Sequence, residues 1–361
     1  MIKFNVAVEH SGSLYYPSLI SASVSTTFPF SHPVADIQIS QAGTIHFIPD
    51  DIIRIQYKRS DRWIDLFHGR IHEINSTFGY KHLFCIGHSE EMSYRFIIAD
   101  YTGAGAGSGD ILSDLIPNYL TRITDDGDIA TGSTISEFNI ARNRKNIMDI
   151  VKELENLEYF NYIFSIKTDY NNGIFNKASA VWEAVPVVPT TRATAHETAK
   201  NVVGASFSED INDLYNKVWI FGNTYNDDVD QYSAFAEDSY SQSVYGIREH
   251  ILVDRSLNSQ SLCEAVAEAI IQRYSMPLVI GDIELVGVDI SVGELLSCRF
   301  PSLDTGGEHI DGNFRIQKVS HTISTSGWKT NLNVGELRYG IDELISGLVN
   351  KNRANNLGLI K

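Results

Sequence analysis

Three stretches of the sequence have residue types and spacings that chemistry can use. Gly103-Ala104-Gly105-Ala106-Gly107-Ser108-Gly109 has the glycine density of a phosphate-cradling loop. Such a loop needs a following Lys-Ser or Lys-Thr to reach phosphoryl oxygens and a cation. None follows, so a flexible linker is expected. His68, His72 and Glu73 have the spacing of zinc ligands on a helix, but they fall in an alternating segment. There His68, Arg70 and His72 share one face of a strand, with a cation between the two imidazoles. Asp125-Asp126-Gly127-Asp128 and Asp227-Asp228-Val229-Asp230 cluster oxygen ligands without the distal bidentate Glu of a calcium loop, and are expected to be solvated loops.

Other chemistries find less support. No Gly-x-Ser-x-Gly elbow occurs. Among 45 acidic residues no local pattern marks a glycosidase pair. Cys85, Cys263 and Cys298 are odd in number and widely spaced, which fits free buried thiols better than a disulfide framework or a zinc cluster. The expectation is therefore a protein that is not an enzyme, with no catalytic, cofactor-binding or metal-binding residues and no cofactor.

The elements that would carry any such site follow from periodicity. At 361 residues the chain exceeds one ordinary core. Residues 1–95 alternate with period two, as in Ile52-Ile53-Arg54-Ile55-Gln56-Tyr57, and form a first β-domain. Residues 96–205 read as an α+β insertion. It contains the glycine-rich linker, a short helix capped by Ser108 or Asp110, and a helix over 143–158 with Ile147, Ile150, Val151, Leu154 and Leu157 on one face. A strand then leads to the hairpin dipeptide Asn172-Gly173.

Residues 206–335 form a second β-domain. Within it lie a polar, acidic loop over 223–244 and a helix over 259–275 that starts at a Ser261/Glu264 capping box. Residues 336–361 close the chain as a helix and a loose tail, with Ile341, Leu344, Ile345, Leu348 and Val349 on one face; that stripe suits core packing or a partner's groove. The formal charge of −16 opposes nucleic-acid binding. The amino terminus lacks the pattern of a signal peptide, and no run of roughly twenty apolar residues predicts membrane insertion.

The two β-regions look duplicated. Asp51-Ile52-Ile53-Arg54-Ile55-Gln56-Tyr57 corresponds to Glu294-Leu295-Leu296-Ser297-Cys298-Arg299-Phe300, and Arg70-Ile71-His72-Glu73-Ile74 to Arg315-Ile316-Gln317-Lys318-Val319. Gly79-Tyr80-Lys81 leading to Ile86-Gly87 is matched with Gly327-Trp328-Lys329 leading to Val334-Gly335. In each hairpin the ring is expected to cover the open end of its core.

Certain residues carry a family resemblance. They are Leu214 to Gly222, Tyr245-Gly246-Ile247-Arg248-Glu249 leading to Asp254, the helix with Ala265, Ala267 and Ala269, then Gly281, Val292-Gly293-Glu294 and Gly312-Asn313-Phe314-Arg315-Ile316. In the first β-region Phe67-His68-Gly69-Arg70-Ile71 adds to them. Together these resemble the tailed-phage baseplate hub family, the late-control and tail-hub proteins of contractile tails and related injection systems. The loop over 223–244 is longer and more acidic than that pattern.

The resemblance implies a β-rich α+β fold with two related tail-tube-like β-barrel domains, a helix-containing insertion and a C-terminal helix. It implies a structural virion protein at the tail tip that forms a homotrimer with a pseudo-sixfold collar. Its partners would be the tail tube or a tube-terminating protein, a central spike or tail lysozyme protein, and other baseplate proteins, with DNA passing through the ring. An acidic lumen would keep DNA from sticking. The alternative is a tail-associated hydrolase or carbohydrate-binding module on the same barrels. A monomer that clears cell walls would favour the alternative, and an inert trimer the hub.

Overall fold

The computed structural model describes residues 2–40, 46–97, 100–139, 145–158, 161–225, 230–305 and 308–335, together with 341, 345 and 348. Alternation in the first region produces β1 (Phe4–His10), β2 (Ser13–Tyr15), β3 (Leu19–Thr27), β4 (Val34–Ser40), β5 (Ile52–Arg59), β6 (Arg62–Thr77) and β7 (Tyr80–Gly87). They are hydrogen-bonded in the order β3-β4-β7-β6-β5-β1-β2. Ala35 faces Cys85 and Ile37 faces Leu83 across β4 and β7, so these four buried side chains lie on one side of the sheet. Ile53, Ile55 and Phe67 join them in one core. β6 is 16 residues long and serves two ladders, pairing with β5 through its first half and β7 through its second. A bulge at His72 bends it between the two.

The insertion follows as α1 (Glu91–Tyr94), β8 (Asp100–Gly107), α2 (Ser108–Tyr119), β9 (Ile123–Ile129), β10 (Thr134–Asn139), α3 (Ile147–Leu157), β11 (Tyr162–Asn171) and β12 (Ile174–Ala184). It has its own core, built on Ile111, Leu115, Ile150, Leu154, Phe164 and Trp182. Most of the expected helix over 143–158 is α3; residues 143 and 144 lie outside the described residues. The cap of α3 is Asn146, whose side chain accepts from Asp149 N at 2.8 Å. Asn172 and Gly173 form the β11–β12 turn with left-handed φ of +51° and +86°, the demand that selects this dipeptide.

The glycine-rich run is not a linker. It is β8, paired with β10, leading directly into α2. Gly109 N donates to Thr131 O at 2.8 Å, and a Cβ on Gly109 would lie 1.7 Å from Ala130 O. Glycine is required there because two backbones touch. Neither expected side chain caps α2 at its own position: Gly107 is the cap residue, and the Asp110 carboxylate accepts from Gly107 N at 3.0 Å.

The chain then lays down β13 (Pro189–His196) and β14 (Val202–Asp210) and leaves for a separate unit. This unit consists of β15 (Lys217–Tyr225), β16 (Asp230–Glu237), α4 (Ser239–Tyr245), β17 (Glu249–Val253) and α5 (Gln260–Tyr274). α5, expected within the second β-domain, packs instead on the separate β16-β15-β17 sheet through Val218, Ile220, Cys263, Val266 and Ile270. Ile341, Ile345 and Leu348 are helical and pack on the same core. The remainder of the expected C-terminal helix and tail lies outside the described residues.

Two details of this unit correct the sequence reading. The described part of the expected loop over 223–244 is a strand end, β16 and most of α4. The N-cap of α5 is Ser259, which accepts from Leu262 N at 3.3 Å, two residues before the predicted Ser261.

The chain returns as β18 (Leu278–Val286), β19 (Leu295–Thr305), β20 (Glu308–Ser324) and β21 (Gly327–Gly335) around a third β-rich core. β20, 17 residues long, is again shared between two hairpin partners and is bulged at Gln317.

The β-rich character is as expected, whereas closed barrels are not found. Among the described residues the two β-halves form one sheet of 13 strands, because residues 318–323 of β20 pair with residues 22–27 of β3. The edge of β3 is thereby taken by the other half, and no strand pairs with the outer edge of β14. Among the described residues neither half closes on itself.

Candidate functional site

The most distinctive constellation is an acidic corner that occurs twice. Asp50 N donates to Ile71 O at 2.7 Å and Ile71 N to Asp51 O at 2.9 Å. In the other half Gly293 N donates to Ile316 O at 2.8 Å and Ile316 N to Glu294 O at 2.9 Å. The Asp51 carboxylate accepts from Ile48 N at 2.8 Å, and that of Glu294 from Ser291 N at 3.2 Å, three residues back in both cases. Arg70 Nη1 donates to Asp50 O at 3.0 Å and Arg315 Nη1 to Gly293 O at 2.7 Å. Asp50 and Gly293 share a left-handed backbone, φ +76° and +79°. Strand alternation alone does not reproduce an arginine, a carboxylate and a positive φ at matching places.

The ladders extend this equivalence to strands that the sequence comparison missed. Ala22 of β3 faces Ile37 of β4, and Ala205 of β14 faces Ile283 of β18, with a bulge at Ile20 in one and Val203 in the other. Ala22-Ser23-Val24-Ser25 thus matches Ala205-Ser206-Phe207-Ser208, and Asp36-Ile37 matches Asp282-Ile283. These similarities were present in the sequence, but intervening segments of different length separate them.

The same ladders correct the last strand of the repeat. Leu83 faces Ile37 and Leu332 faces Ile283, so Cys85 corresponds to Val334. The expected match of Ile86 with Val334 is one residue out, and a one-residue slip turns every side chain to the opposite face. Trp328 consequently has no counterpart in Tyr80. It is 5% exposed and lies in the first half's core, its ring 5.0 Å from that of Tyr57. The expected covering ring does cover an open core, but that of the other half.

Both corners hold the insertion. Arg122 donates to the Asp50 carboxylate through Nη1 at 3.0 Å and Nη2 at 3.2 Å, next to the Arg70 ion pair at 3.1 Å. At the second corner Arg315 Nη1 also donates to Pro186 O at 2.9 Å, and a Cβ on Gly293 would meet Ile163 Cδ1 at 2.8 Å. Arg54 Nη2 donates to Gly173 O at 2.9 Å and sits 4.3 Å over the Tyr170 ring, fixing the β11–β12 hairpin on β5. Glu155, buried, accepts from Phe30 N at 2.7 Å and Phe164 N at 3.0 Å. Burial pushes its carboxyl up to about 7.

A cavity of about 710 Å³ remains where the three bodies meet, walled by Asp65, His88, Phe164, Arg192, Asp289 and His321 among others. Gln56 Nε2 donates to Asp65 at 2.8 Å, Tyr57 O–H donates to Asp289 at 2.7 Å, and burial raises the Asp65 carboxyl. The Asp65 carboxylate thus ties β6 to β5, and that of Asp289 ties the β18–β19 connection to β5.

The sequence-marked groups do not converge. His68 stacks on His88 with 5.6 Å between centroids, and His88 on Phe175 with 4.6 Å. Burial pushes the His68 imidazole down to about 4 and keeps His88 neutral as well. His72 meets Glu90, two residues beyond His88, at 3.0 Å. Asp126 pairs with Lys177 at 2.7 Å, Asp128 with Lys167 at 3.3 Å, and Asp125 accepts from Gly127 N at 2.8 Å, all on the strand β9 and not on a loop. Of the second acidic run, residues 227–229 lie outside the described residues. Cys85, Cys263 and Cys298 are free and buried in three different cores. Among the described residues no group of three His, Cys, Asp or Glu could hold a metal.

The segments that carry the family resemblance do meet. Asn216, fully buried, donates through Nδ2 to Gly246 O at 2.7 Å, and its Oδ1 accepts from Arg248 N at 2.7 Å. The strand start at Lys217 and the Tyr245-to-Glu249 segment are thus joined through one amide, whose two ends satisfy a backbone acceptor and a backbone donor.

No family model matches the sequence, and no curated protein does. Solved structures do match. The 43 kDa tail protein of prophage MuSo2 from Shewanella oneidensis is similar with TM-score 0.65 and 9% identity, over 94% of this chain and 99% of that one. The tail protein from Neisseria meningitidis MC58 gives TM-score 0.62 and 12% identity over 92% and 96%. Prophage tail protein gp18 from Listeria monocytogenes EGD-e gives 0.56 and 11% over 96% and 98%. Identity this low speaks to architecture alone: over nearly its whole length, this chain has the fold of phage tail proteins.

Proposed function

We propose that this chain is a structural component of a phage-type tail, a hub at the tail tip that oligomerises into a ring. The carrying observation is the doubled acidic corner within one chain, with Asp50, Asp51, Arg70 and Ile71 in one half and Gly293, Glu294, Arg315 and Ile316 in the other. Two like modules per chain let three chains present six like surfaces, which fits a threefold ring to a sixfold tube. In this reading residues 1–95 and 206–335 hold the two tube-forming domains, the second joined by β13 and the start of β14 and interrupted by the unit of β15–β17 and α5, while 96–205 hold an insertion that braces both and 336–361 a C-terminal helix and tail. The tube or a tube-terminating protein binds on one side and a spike or tail lysozyme protein on the other, with DNA passing through. The protein works by shape and contains no catalytic residues.

The mass of the purified chain in solution tests the ring, and electron microscopy of particles bearing a tagged copy tests its place. A trimer at the tail tip is expected. A stable monomer that clears cell walls or polysaccharide would overturn the proposal.

A further inference from the structure

The internal repeat specifies how a ring would close, an inference that rests on the ring reading above. Within the chain, residues 318–323 of β20 add to the edge of β3, with Lys318 facing Thr27, Ser320 facing Ser25 and Thr322 facing Ser23. Both partners have counterparts in the opposite half. Residues 73–77 of β6 follow the His72 bulge as residues 318–322 of β20 follow the Gln317 bulge. Residues 205–210 of β14 correspond to residues 22–27 of β3, as their ladders show.

These counterparts are both vacant edges. Among the described residues, 73–77 pair only with β7, since β5 takes the earlier part of β6, and β14 pairs only with β18. Glu73, Asn75, Ser76 and Thr77 are exposed, as are Ser206, Ser208 and Asp210. An exposed row of unsatisfied N–H and C=O groups is a template for another strand. One chain cannot satisfy its own pair of edges, because its β3 and β20 already form the junction between its halves.

We infer that the occupant of each edge is a second copy of this chain: residues 73–77 of one copy pair antiparallel with residues 206–210 of the next, repeating between chains the β20–β3 ladder found within each. Carrying the register across places Glu73 opposite Asp210, Asn75 opposite Ser208 and Thr77 opposite Ser206. The exposed residues of both segments are polar, so backbone hydrogen bonds carry the contact. Glu73 opposite Asp210 is a like-charge pair at the end of the ladder, where the internal junction has Lys318 opposite Thr27. The contact therefore strengthens with salt or when Glu73 becomes lysine.

The test uses the full chain bearing N75C and S208C under mild oxidation, with S25C and S320C as the internal control. The control closes an intrachain disulfide. N75C/S208C yields covalently closed trimers, and each single variant yields none. The variant E73K tightens association about two- to fivefold by light scattering, the effect of relieving one cross-strand charge pair. Trimers that never cross-link overturn the edge contact and leave the ring standing. Cross-linked species that grow beyond three chains support the edge contact and overturn the threefold ring. A chain that is monomeric at every concentration, without cross-links and with E73K unchanged, overturns both.

Discussion

The Trp328 indole meets the Phe4 ring edge-on, with 5.5 Å between centroids and 88° between planes. These residues come from opposite halves of the duplicated sheet, and the contact plugs the first half's core with a side chain from the second. The halves therefore fold as one body along this seam.

Replacing Trp328 with alanine is expected to destabilise the protein by about 3–5 kcal/mol, the range for emptying a large aromatic from a core. Trp328→Phe should cost less, chiefly through the lost indole N–H donated to His321 Nδ1 at 3.3 Å. Urea unfolding followed by fluorescence and by circular dichroism measures both, and a Trp328→Ala chain of parental stability would refute the seam.

Acid should loosen the same seam. His321 is buried, and burial pushes its imidazole from 6.5 down to about 4, so the unfolded chain takes up a proton before the folded one does. Its contribution is complete above pH 6.5 and is lost as pH falls toward about 4. The loss is on the order of 3 kcal/mol by linkage. Protonation would also put a hydrogen on the Nδ1 that accepts from Trp328. His321→Gln should flatten the stability profile between pH 6.5 and 4 relative to the parent.

Gly293, in the second corner, and Gly79, in the β6–β7 turn, differ in what they tolerate. Gly293→Ala should destabilise by about 1–3 kcal/mol, because alanine resists the left-handed backbone and its methyl would press on Ile163. Gly79→Ala, also left-handed but with open space around it, should cost only the backbone part. Thermal melts of the pair separate strain from crowding; equal losses would mean that contact with the insertion is unimportant.

Asn216→Ala should cost about 1–2 kcal/mol, since it removes the partner of the Gly246 carbonyl and of the Arg248 N–H at a part-buried site. Asn216→Asp should fare little better, because a carboxylate cannot donate to Gly246 O. Hydrogen exchange at Arg248 reads the local opening directly, and unchanged protection in Asn216→Ala would count against the role assigned to the amide.

Much of this architecture was legible in the chain alone. Alternation marked β5 and β7, the spacing from Ile147 to Leu157 marked α3, and Asn172-Gly173 marked its hairpin, because each depends on neighbours within a few residues. The corner repeat was also visible, since an acidic turn, a strand and an arginine recur in order. Where distant contact decides, local reading failed. Gly103 to Gly109 looked like a linker because glycine has two uses, freedom and close approach, and only the carbonyls of Ala130 and Thr131 show which applies.

The sequence by itself determined the β-rich character, the helices α3 and α5 and the repeated corner, all of which are properties of residue type and short-range spacing. The tertiary structure alone decided that the halves join through β20 and β3, that neither closes into a barrel among the described residues, and that Trp328 fills the other half's core. Strand edges offer the same backbone groups whatever their side chains, so which edges meet is set by packing across the whole fold.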